Sequence, residues 1–135
     1  MHIDGGSRGN PGPAAAASVI STPQGEVLDE SAELLGSVTN NVAEYRALLL
    51  GLARARALGA SEVEVVNDSE LIAKQVRGLY KVKHASMRPL HIEAMAALRS
   101  FERWSIRSVP RAQNEHADAL VNAALDGKRA DSSAA

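Results

Sequence analysis

The sequence predicts a single α/β domain in which helices pack on a five-stranded mixed sheet. Three strand-like segments open the chain, and helical and strand-like segments alternate from residue 41 onward. The first and last helical segments carry apolar stripes at helical spacing. An opening hairpin followed by strand–helix alternation is typical of a mixed sheet with helices packed on it. A length of 135 residues suits one domain with a substantial hydrophobic core.

The N-terminal quarter of the chain is predicted to be mostly strand. Residues 1–4 are predicted as the end of a strand, and residues 5–13, Gly-Gly-Ser-Arg-Gly-Asn-Pro-Gly-Pro, as a turn-rich loop. Residues 14–22 are predicted as the second strand, although their four successive alanines have weak β propensity. A turn at residues 23–25 then leads into a third strand over about residues 26–35.

Residues 41–58 form the clearest predicted helix, because leucines follow the helical spacing and Gly59 is a natural C-terminal stop. The later predictions are a strand ending at 67–68, helices at 69–77 and about 88–102, a strand at 103–109 and a helix at 114–125. This order is βββαβαβα, with two short helices in the middle β–α step. Residues 1–126 are predicted to form the domain, and the polar residues 127–135 a flexible C-terminal tail.

Composition excludes several classes of function. The chain has no cysteine, which excludes disulfides and thiolate chemistry and is compatible with a reducing cytoplasm. No apolar run approaches the ~20 residues that a membrane span needs, and no signal peptide is visible. No phosphate-binding glycine pattern occurs. We therefore expect a cytoplasmic protein with no membrane partner.

The distribution of charge is more informative than its total. The net charge is −1, so the whole chain does not indicate nucleic-acid binding. From residue 71 to residue 92, however, there are five basic residues and no acidic one. Such a patch could follow the phosphates of a nucleic acid, or it could be an ordinary solvated face.

Four acidic residues lie at the ends of predicted elements, namely Asp4, Glu44, Asp68 and Asp118. Taken singly, each has a structural explanation. Asp4 could form an Asx-turn, Glu44 has the spacing of a capping box, and Asp68 could cap the helix that follows it. Asp118 lies near the start of a helix, where a negative charge complements the helix dipole.

Taken together, the four carboxylates indicate a metal site. If the strands that carry Asp4 and Asp68 are parallel neighbours, both side chains emerge at the same edge of the sheet, where open α/β sheets bind ligands. Four clustered carboxylates repel one another unless cations neutralise them, and their hard oxygens suit Mg²⁺ or Mn²⁺. Two such ions could activate a water and stabilise the leaving oxygen in phosphodiester hydrolysis.

Four motifs resemble those of a known family. They are Asp4-Gly-Gly-Ser-Arg-Gly-Asn-Pro-Gly-Pro, Thr39-Asn-Asn-Val-Ala-Glu44, Asn67-Asp-Ser69 and Asn114-Glu-His-Ala-Asp118-Ala-Leu120. In these motifs the chain resembles ribonuclease HI, in particular the compact bacterial type without a separate hybrid-binding domain. The resemblance implies the ribonuclease H-like fold, with helices on both faces of the sheet. It also implies an endonuclease that cuts the RNA strand of RNA–DNA hybrids, independently of sequence, leaving 5′-phosphate and 3′-hydroxyl ends.

The resemblance also implies roles for individual residues. The implied catalytic and metal-binding set is Asp4, Glu44, Asp68 and Asp118, with two Mg²⁺ or Mn²⁺ ions when substrate is bound. The implied substrate-binding residues are Asn10, Thr39, Asn40, Asn41, Tyr80, Lys81 and Lys83. The first two would hold a DNA phosphate, the asparagine pair would face the minor groove with its 2′-hydroxyls, and the last three would contact the DNA strand. Packing at a helix end explains Tyr80 equally well.

The chain departs from the family pattern in the loop before the last predicted helix. Residues 110–113 lack the histidine that is thought to assist product release in some relatives. His116 lies too close to Asp118 to take that role, and Glu115 is a candidate substitute. We expect a monomer with no obligatory protein partner. The alternatives are a non-catalytic hybrid-binding module, which the complete carboxylate set argues against, and a DNA-cutting nuclease of the same fold, which the pair Asn40-Asn41 argues against.

Overall fold

The structure, a computed structural model of the chain, describes residues 1–127. In chain order the elements are β1 (His2–Ser7), β2 (Gly12–Ser21), β3 (Val27–Val38), α1 (Asn40–Ala57), β4 (Glu62–Asn67), α2 (Glu70–Val76), α3 (Arg88–Arg99), β5 (Arg103–Ser108), a 3₁₀ turn (Arg111–Gln113) and α4 (Glu115–Leu125). The flexible tail predicted for residues 127–135 lies outside the described residues, apart from Gly127. No helix in the described part is long and apolar enough to cross a membrane.

The five strands form one mixed sheet in the order β3-β2-β1-β4-β5. The first three strands pair antiparallel, whereas β4 runs parallel to β1 and to β5. Helices α1, α2 and α3 pack on one face in the main apolar cluster, and α4 covers the other face with a smaller cluster around Val121. The predicted fold class, with helices on both faces, is therefore confirmed.

The first and third strands extend further than the sequence predicts. β1 continues through the two glycines to Ser7, which pairs with Ala14, so the prediction of a loop over residues 5–13 was wrong at both ends. β3 likewise continues to Val38, which pairs with Gly12. Local propensity favours a turn at these glycines, but hydrogen bonds to a neighbouring strand override that preference in the folded protein.

The alanines of β2 are explained by what lies above and below them. Ala16 belongs to the apolar cluster beneath α1, whereas Ala15 and Ala17 pack beside Val121 of α4. Alternate side chains of a strand point to opposite faces, so a run of alanines places short side chains on both faces of the sheet. The weak β propensity of the run is thus offset because it allows helices to approach closely on both sides of the sheet.

The closest approach between a helix and the sheet occurs at Gly5. A Cβ atom placed there would lie 2.1 Å from the carbonyl oxygen of Ala43, which is backbone of α1 and cannot move aside. The absence of a side chain at Gly5 therefore sets how near α1 lies to β1. Because Gly5 and Ala43 adjoin Asp4 and Glu44 in sequence, this contact also brings those two carboxylates towards each other.

We expect Gly5→Ala to lower the free energy of unfolding by about 1–3 kcal/mol, because the added methyl group forces α1 away from β1. Urea denaturation would measure the change. Gly6→Ala is the matched control, since a Cβ atom at Gly6 would make only ordinary contact, 3.7 Å from Val121 Cγ1. Equal losses of stability in the two variants would contradict the close approach.

Candidate active site

Two of the four predicted site carboxylates extend from neighbouring parallel strands. His2 of β1 pairs with Val66 of β4, and Asp4 and Asp68 follow two residues later on each chain segment. Parallel strands end at the same edge of a sheet, which is where open α/β sheets bind ligands. The parallel arrangement that the sequence argument required is present.

Hydrogen bonds at helix starts position the other two carboxylates. Thr39 caps α1 by accepting a hydrogen bond from the backbone N–H of Val42, with the two atoms 3.3 Å apart. Glu44 follows in the second turn of the helix. Asn114, which is 1% exposed, donates from Nδ2 to the carbonyl oxygen of Ile3 at 2.8 Å. This bond ties the start of α4, and with it Asp118, to the strand that carries Asp4.

All four carboxylates line one cleft of about 480 Å³, which we call the carboxylate cleft. The other polar residues that line it are Ser7, Arg8, Asn10, Asn40, Asn41, Arg111 and Asn122. The structure thus brings together the predicted catalytic set and three of the four predicted asparagine and threonine contacts. Thr39 does not line the cleft but begins the helix that does.

Burial and mutual repulsion make Asp4, Glu44 and Asp68 hard to ionise. Burial, reinforced by the charge of Asp68, raises the pKa of Asp4 to about 8. Burial also raises the pKa of Glu44 to about 7, against the opposing effect of the Ser69 hydroxyl. The pKa of Asp68 is raised by burial too, and the guanidinium of Arg111 partly offsets that rise. A cation bound among these groups would favour their charged forms.

The purely structural explanations fail for two of the acids. The N-cap of α1 is Thr39. A capping box would pair it with the third residue after it, which is Val42 and not Glu44. The N-cap of α2 is Ser69, whose Oγ accepts a hydrogen bond from Ile72 N at 3.3 Å, so Asp68 does not cap that helix. Asp118 does lie in the first turn of α4, where it complements the helix dipole. Glu44 and Asp68 thus have no capping role that would account for them.

A small polar network holds the asparagines of the cleft. Asn40 accepts hydrogen bonds on Oδ1 from the backbone N–H of Ser7 at 2.8 Å and from its hydroxyl at 3.2 Å. The backbone N–H of Asn40 donates to Oδ1 of Asn10 at 3.0 Å. Within residues 1–127, the Nδ2 atoms of Asn10 and Asn40 donate to no protein acceptor, and such amide groups are donors suited to phosphate or hydroxyl oxygens.

A second depression adjoins the carboxylate cleft, and we call it the basic groove. It has a volume of about 480 Å³ and is lined by Asn41, Leu71, Gln75, Leu79, Tyr80, Lys81, Lys83, His84 and Met87. Asn41 lines both depressions, so they are contiguous. Tyr80 is 49% exposed and stacks under Lys74, whose Nζ lies 5.0 Å from the ring centroid. Tyr80 therefore packs against the last turn of α2 and also presents an exposed ring at the wall of the basic groove, so both interpretations of this residue stay open.

Comparison with known proteins assigns the chain to a family. A family model described as reverse transcriptase-like matches residues 2–124. The structure superposes on the crystal structure of RNase H1 from the halophilic archaeon Halobacterium salinarum with a TM-score of 0.90 and 43% sequence identity, covering 93% of this chain and 95% of that chain. The chain belongs to the ribonuclease HI family. The resemblance inferred from the four sequence motifs is thereby confirmed.

Two further relatives match nearly the whole chain but differ in how much of their own length is matched. LC11-RNase H1, solved in complex with an RNA/DNA hybrid, matches with a TM-score of 0.89 and 39% identity over 94% of this chain and 96% of that chain. A bifunctional protein of Mycobacterium tuberculosis is 48% identical over 127 residues, covering 93% of this chain. The chain spans only 35% of the length of that protein, about a third of the first curated relatives that it matches.

The donor chemistry of the cleft fits the divalent ions expected for a ribonuclease HI. Within residues 1–127, Glu44 Oε2 and Asp68 Oδ2 are buried without a hydrogen-bond partner. Buried carboxylate oxygens that accept no hydrogen bond are the hard donors that Mg²⁺ and Mn²⁺ prefer. The same part of the chain contains no three His, Asp or Glu side chains already arranged as a ligand set.

The sequence argument missed several polar residues of the cleft, and two of them contact a site carboxylate. Arg111 begins the 3₁₀ turn before α4, and its Nε lies 3.8 Å from Oδ2 of Asp68. Asn122 lies one turn after Asp118 and donates from Nδ2 to its carboxylate at 3.4 Å. The spacing of four residues on a helix could have indicated Asn122. Glu115, the proposed substitute for the product-release histidine, does not line the cleft, and His116 instead pairs with Glu30 at 2.8 Å.

We expect Asp4→Asn to stabilise the metal-free protein at alkaline pH. The pKa of Asp4 is about 8 in the folded protein and 3.8 for the unperturbed group, so its ionisation between those values disfavours folding. Asparagine carries no charge. The free energy of unfolding of the variant should therefore exceed that of the parent chain only slightly near about pH 4.5, and by ~1–3 kcal/mol near about pH 8. Thermal unfolding in EDTA at the two pH values would measure it.

Glu33→Gln is the control for this comparison, because Glu33 is an exposed carboxylate on β3, away from the cleft. The comparison asks whether Asp4→Asn gains more stability between the two pH values than Glu33→Gln does. An Asp4→Asn variant with no greater advantage at high pH than at low pH would contradict the repulsion inferred for the cleft.

Proposed function

We propose that the chain hydrolyses the RNA strand of RNA–DNA hybrids. The observation that carries this proposal is that one cleft is lined by Asp4, Glu44, Asp68 and Asp118 in a chain of the ribonuclease HI family. The RNA/DNA hybrid bound to LC11-RNase H1, at 39% identity, supports the choice of substrate. Because the chain spans only part of its curated relatives, any further activity of a longer protein lies outside this proposal.

The four carboxylates would hold two divalent ions, Mg²⁺ or Mn²⁺, when substrate is bound. Bound there, the ions would supply water activation and stabilisation of the leaving oxygen. The chain's own part is to hold the acids in the carboxylate cleft. Asp4 lies within β1, Asp68 directly follows β4, Glu44 lies in the second turn of α1 and Asp118 near the start of α4. Hydrolysis of this kind would leave 5′-phosphate and 3′-hydroxyl ends, as the family resemblance implies.

Two contiguous depressions suit the two strands of a hybrid. The scissile RNA strand would lie in the carboxylate cleft, and the DNA strand in the basic groove with Tyr80, Lys81 and Lys83. Asn41 lines both, and with Asn40 it would face the minor groove, where 2′-hydroxyls are accessible. The family resemblance assigns Asn10 and Thr39 to a phosphate of the DNA strand, and since Asn10 lines the carboxylate cleft, the DNA strand would also have to touch the margin of that cleft.

The proposed contacts reach backbone groups rather than base edges. Lysines and amide groups bind phosphates and hydroxyls, which are the same at every position of a strand. Cleavage should therefore be independent of sequence. The proposal involves a monomer without an obligatory protein partner, and the cytoplasmic location stays a prediction from composition.

The decisive experiment is cleavage of labelled nucleic acids with Mg²⁺ or Mn²⁺, using an RNA–DNA hybrid, double-stranded DNA and double-stranded RNA. We expect metal-dependent cutting of the RNA strand of the hybrid alone. Asp68→Asn should lower kcat by about a hundredfold or more, because it removes a charged ligand from the site. Glu33→Gln is the matched control on the exposed face of β3 and should retain full activity.

Each other result of this panel favours a different function. Hybrid binding without cleavage by the folded parent chain would favour a non-catalytic binding module. Cutting of double-stranded DNA would favour another nuclease of the same fold. Full activity of Asp68→Asn would remove that carboxylate from the proposed ligand set.

We expect Arg111→Ala to lower kcat/KM on the hybrid by about tenfold, as one charge-assisted contact is lost. The Arg111 side chain is 82% exposed beside Asp68, so it can reach a substrate phosphate. Arg103→Ala is the matched control, because Arg103 is also 82% exposed but pairs with Glu62 away from the cleft. Steady-state cleavage rates would compare them, and equal losses would argue against a role for Arg111 at the substrate.

A further inference from the structure

A buried polar link runs from the helix that carries Glu44 to the wall of the basic groove. Tyr45 follows Glu44 on α1 and is fully buried, and its hydroxyl donates to Oε1 of Gln75 at 2.7 Å. Gln75, on α2, is 5% exposed, and its Nε2 donates to the backbone carbonyl of Lys81 at 3.4 Å. Two consecutive residues of α1 thus act at different sites. Glu44 lines the carboxylate cleft, and Tyr45 is linked through Gln75 to the wall of the basic groove.

The segment that this link contacts has no regular secondary structure of its own. Residues 79–83 form neither helix nor strand, yet they supply four residues that line the basic groove. The start of the segment is held by backbone bonds from Leu79 and Tyr80 to the carbonyl of Lys74. Farther along, Arg88 Nε donates to the carbonyl of Val82 at 3.2 Å. In the middle of the segment, Val82 packs against the main apolar cluster, and Gln75 adds a buried hydrogen bond to the backbone of Lys81.

The buried hydroxyl of Tyr45 requires a hydrogen-bond partner, whereas phenylalanine would fill the same space without one. The hydroxyl therefore points to a role beyond packing. Besides Gln75, Tyr45 Oη has one neighbour, His91 Nδ1 at 3.5 Å, and the His91 ring meets that of Tyr45 edge-on with centroids 6.1 Å apart. Burial raises the pKa of Tyr45 well above its usual value, so the hydroxyl keeps its proton and acts as the donor. The direction of the Tyr45 hydroxyl is therefore set by its hydrogen bond to the amide of Gln75.

We propose that Tyr45 and Gln75 are positioning residues that fix the 79–83 segment relative to α1. They would thereby set the distance between the carboxylate cleft and the basic groove, and so the fit of the two strands of a hybrid. This inference rests on the proposed function, since it assigns the basic groove to the second strand. Tyr45 and Gln75 would influence how the hybrid fits without contacting the reacting phosphate.

The test uses Tyr45→Phe, which keeps the ring and removes only the hydroxyl, and Gln75→Met, which keeps the size and removes the amide. We expect each to raise KM for the hybrid about fivefold, the effect of losing one net hydrogen bond, with kcat within about twofold of the parent chain. The double variant should be no worse than the single variants, because all three break the same link.

A second measurement reports on the segment without catalysis. Trypsin cuts after lysine, and Lys81 and Lys83 are exposed. We expect limited trypsin digestion of the folded variants, followed by mass spectrometry, to show faster nicking at these two sites. Ile20→Val is the control: Ile20 is a core residue of β2 that lines neither depression, and losing one methylene there costs ~0.5–1.5 kcal/mol. It should change neither KM nor nicking.

The outcomes separate this inference from the proposed function. An unchanged KM in Tyr45→Phe, a raised KM without faster nicking, or equal effects in Ile20→Val would each overturn the positioning role. If the parent chain fails to cut the hybrid at all, the proposed function fails. Faster nicking in Tyr45→Phe and Gln75→Met would then still establish that the link holds the segment.

Discussion

The contact between the backbones of β1 and α1 at Gly5 is the constraint on which the site depends. With a hydrogen atom in place of a side chain at Gly5, the carbonyl of Ala43 can lie against the strand. Asp4 precedes one partner of this contact and Glu44 follows the other, so the distance between helix and sheet also determines the distance between two carboxylates. On the opposite face the alanines of β2 give α4 the same close access, and α4 carries Asp118.

Bringing these acids together works against folding. Burial and mutual repulsion raise the pKa values of Asp4, Glu44 and Asp68, so each is harder to ionise in the folded protein than in the unfolded chain. The rest of the fold has to offset that cost. The bond from Asn114 to the carbonyl of Ile3 and the cap at Thr39 hold the carboxylates where repulsion would otherwise separate them. Such a cost is typical of sites that bind cations.

Sequence reasoning succeeded where the local pattern and the tertiary structure agree, and failed where they compete. The helix at α1 was predicted to within one residue at each end, because its leucine spacing and its terminal glycine are local signals. The extension of β1 to Ser7 was missed, because glycines favour a turn unless a neighbouring strand supplies hydrogen bonds. Arg111 was missed for a similar reason, since only the folded chain shows that its loop lies beside Asp68.

The sequence by itself determined the order of the elements, the family motifs and the chemical character of the acids. These follow from side-chain spacing and residue type, which are properties of short segments. Only the tertiary structure decided that the four carboxylates line one cleft, that Asn41 joins this cleft to the basic groove, and that Tyr45 reaches Lys81 through Gln75. Those relations join residues dozens of positions apart, and only strand pairing and helix packing fix them.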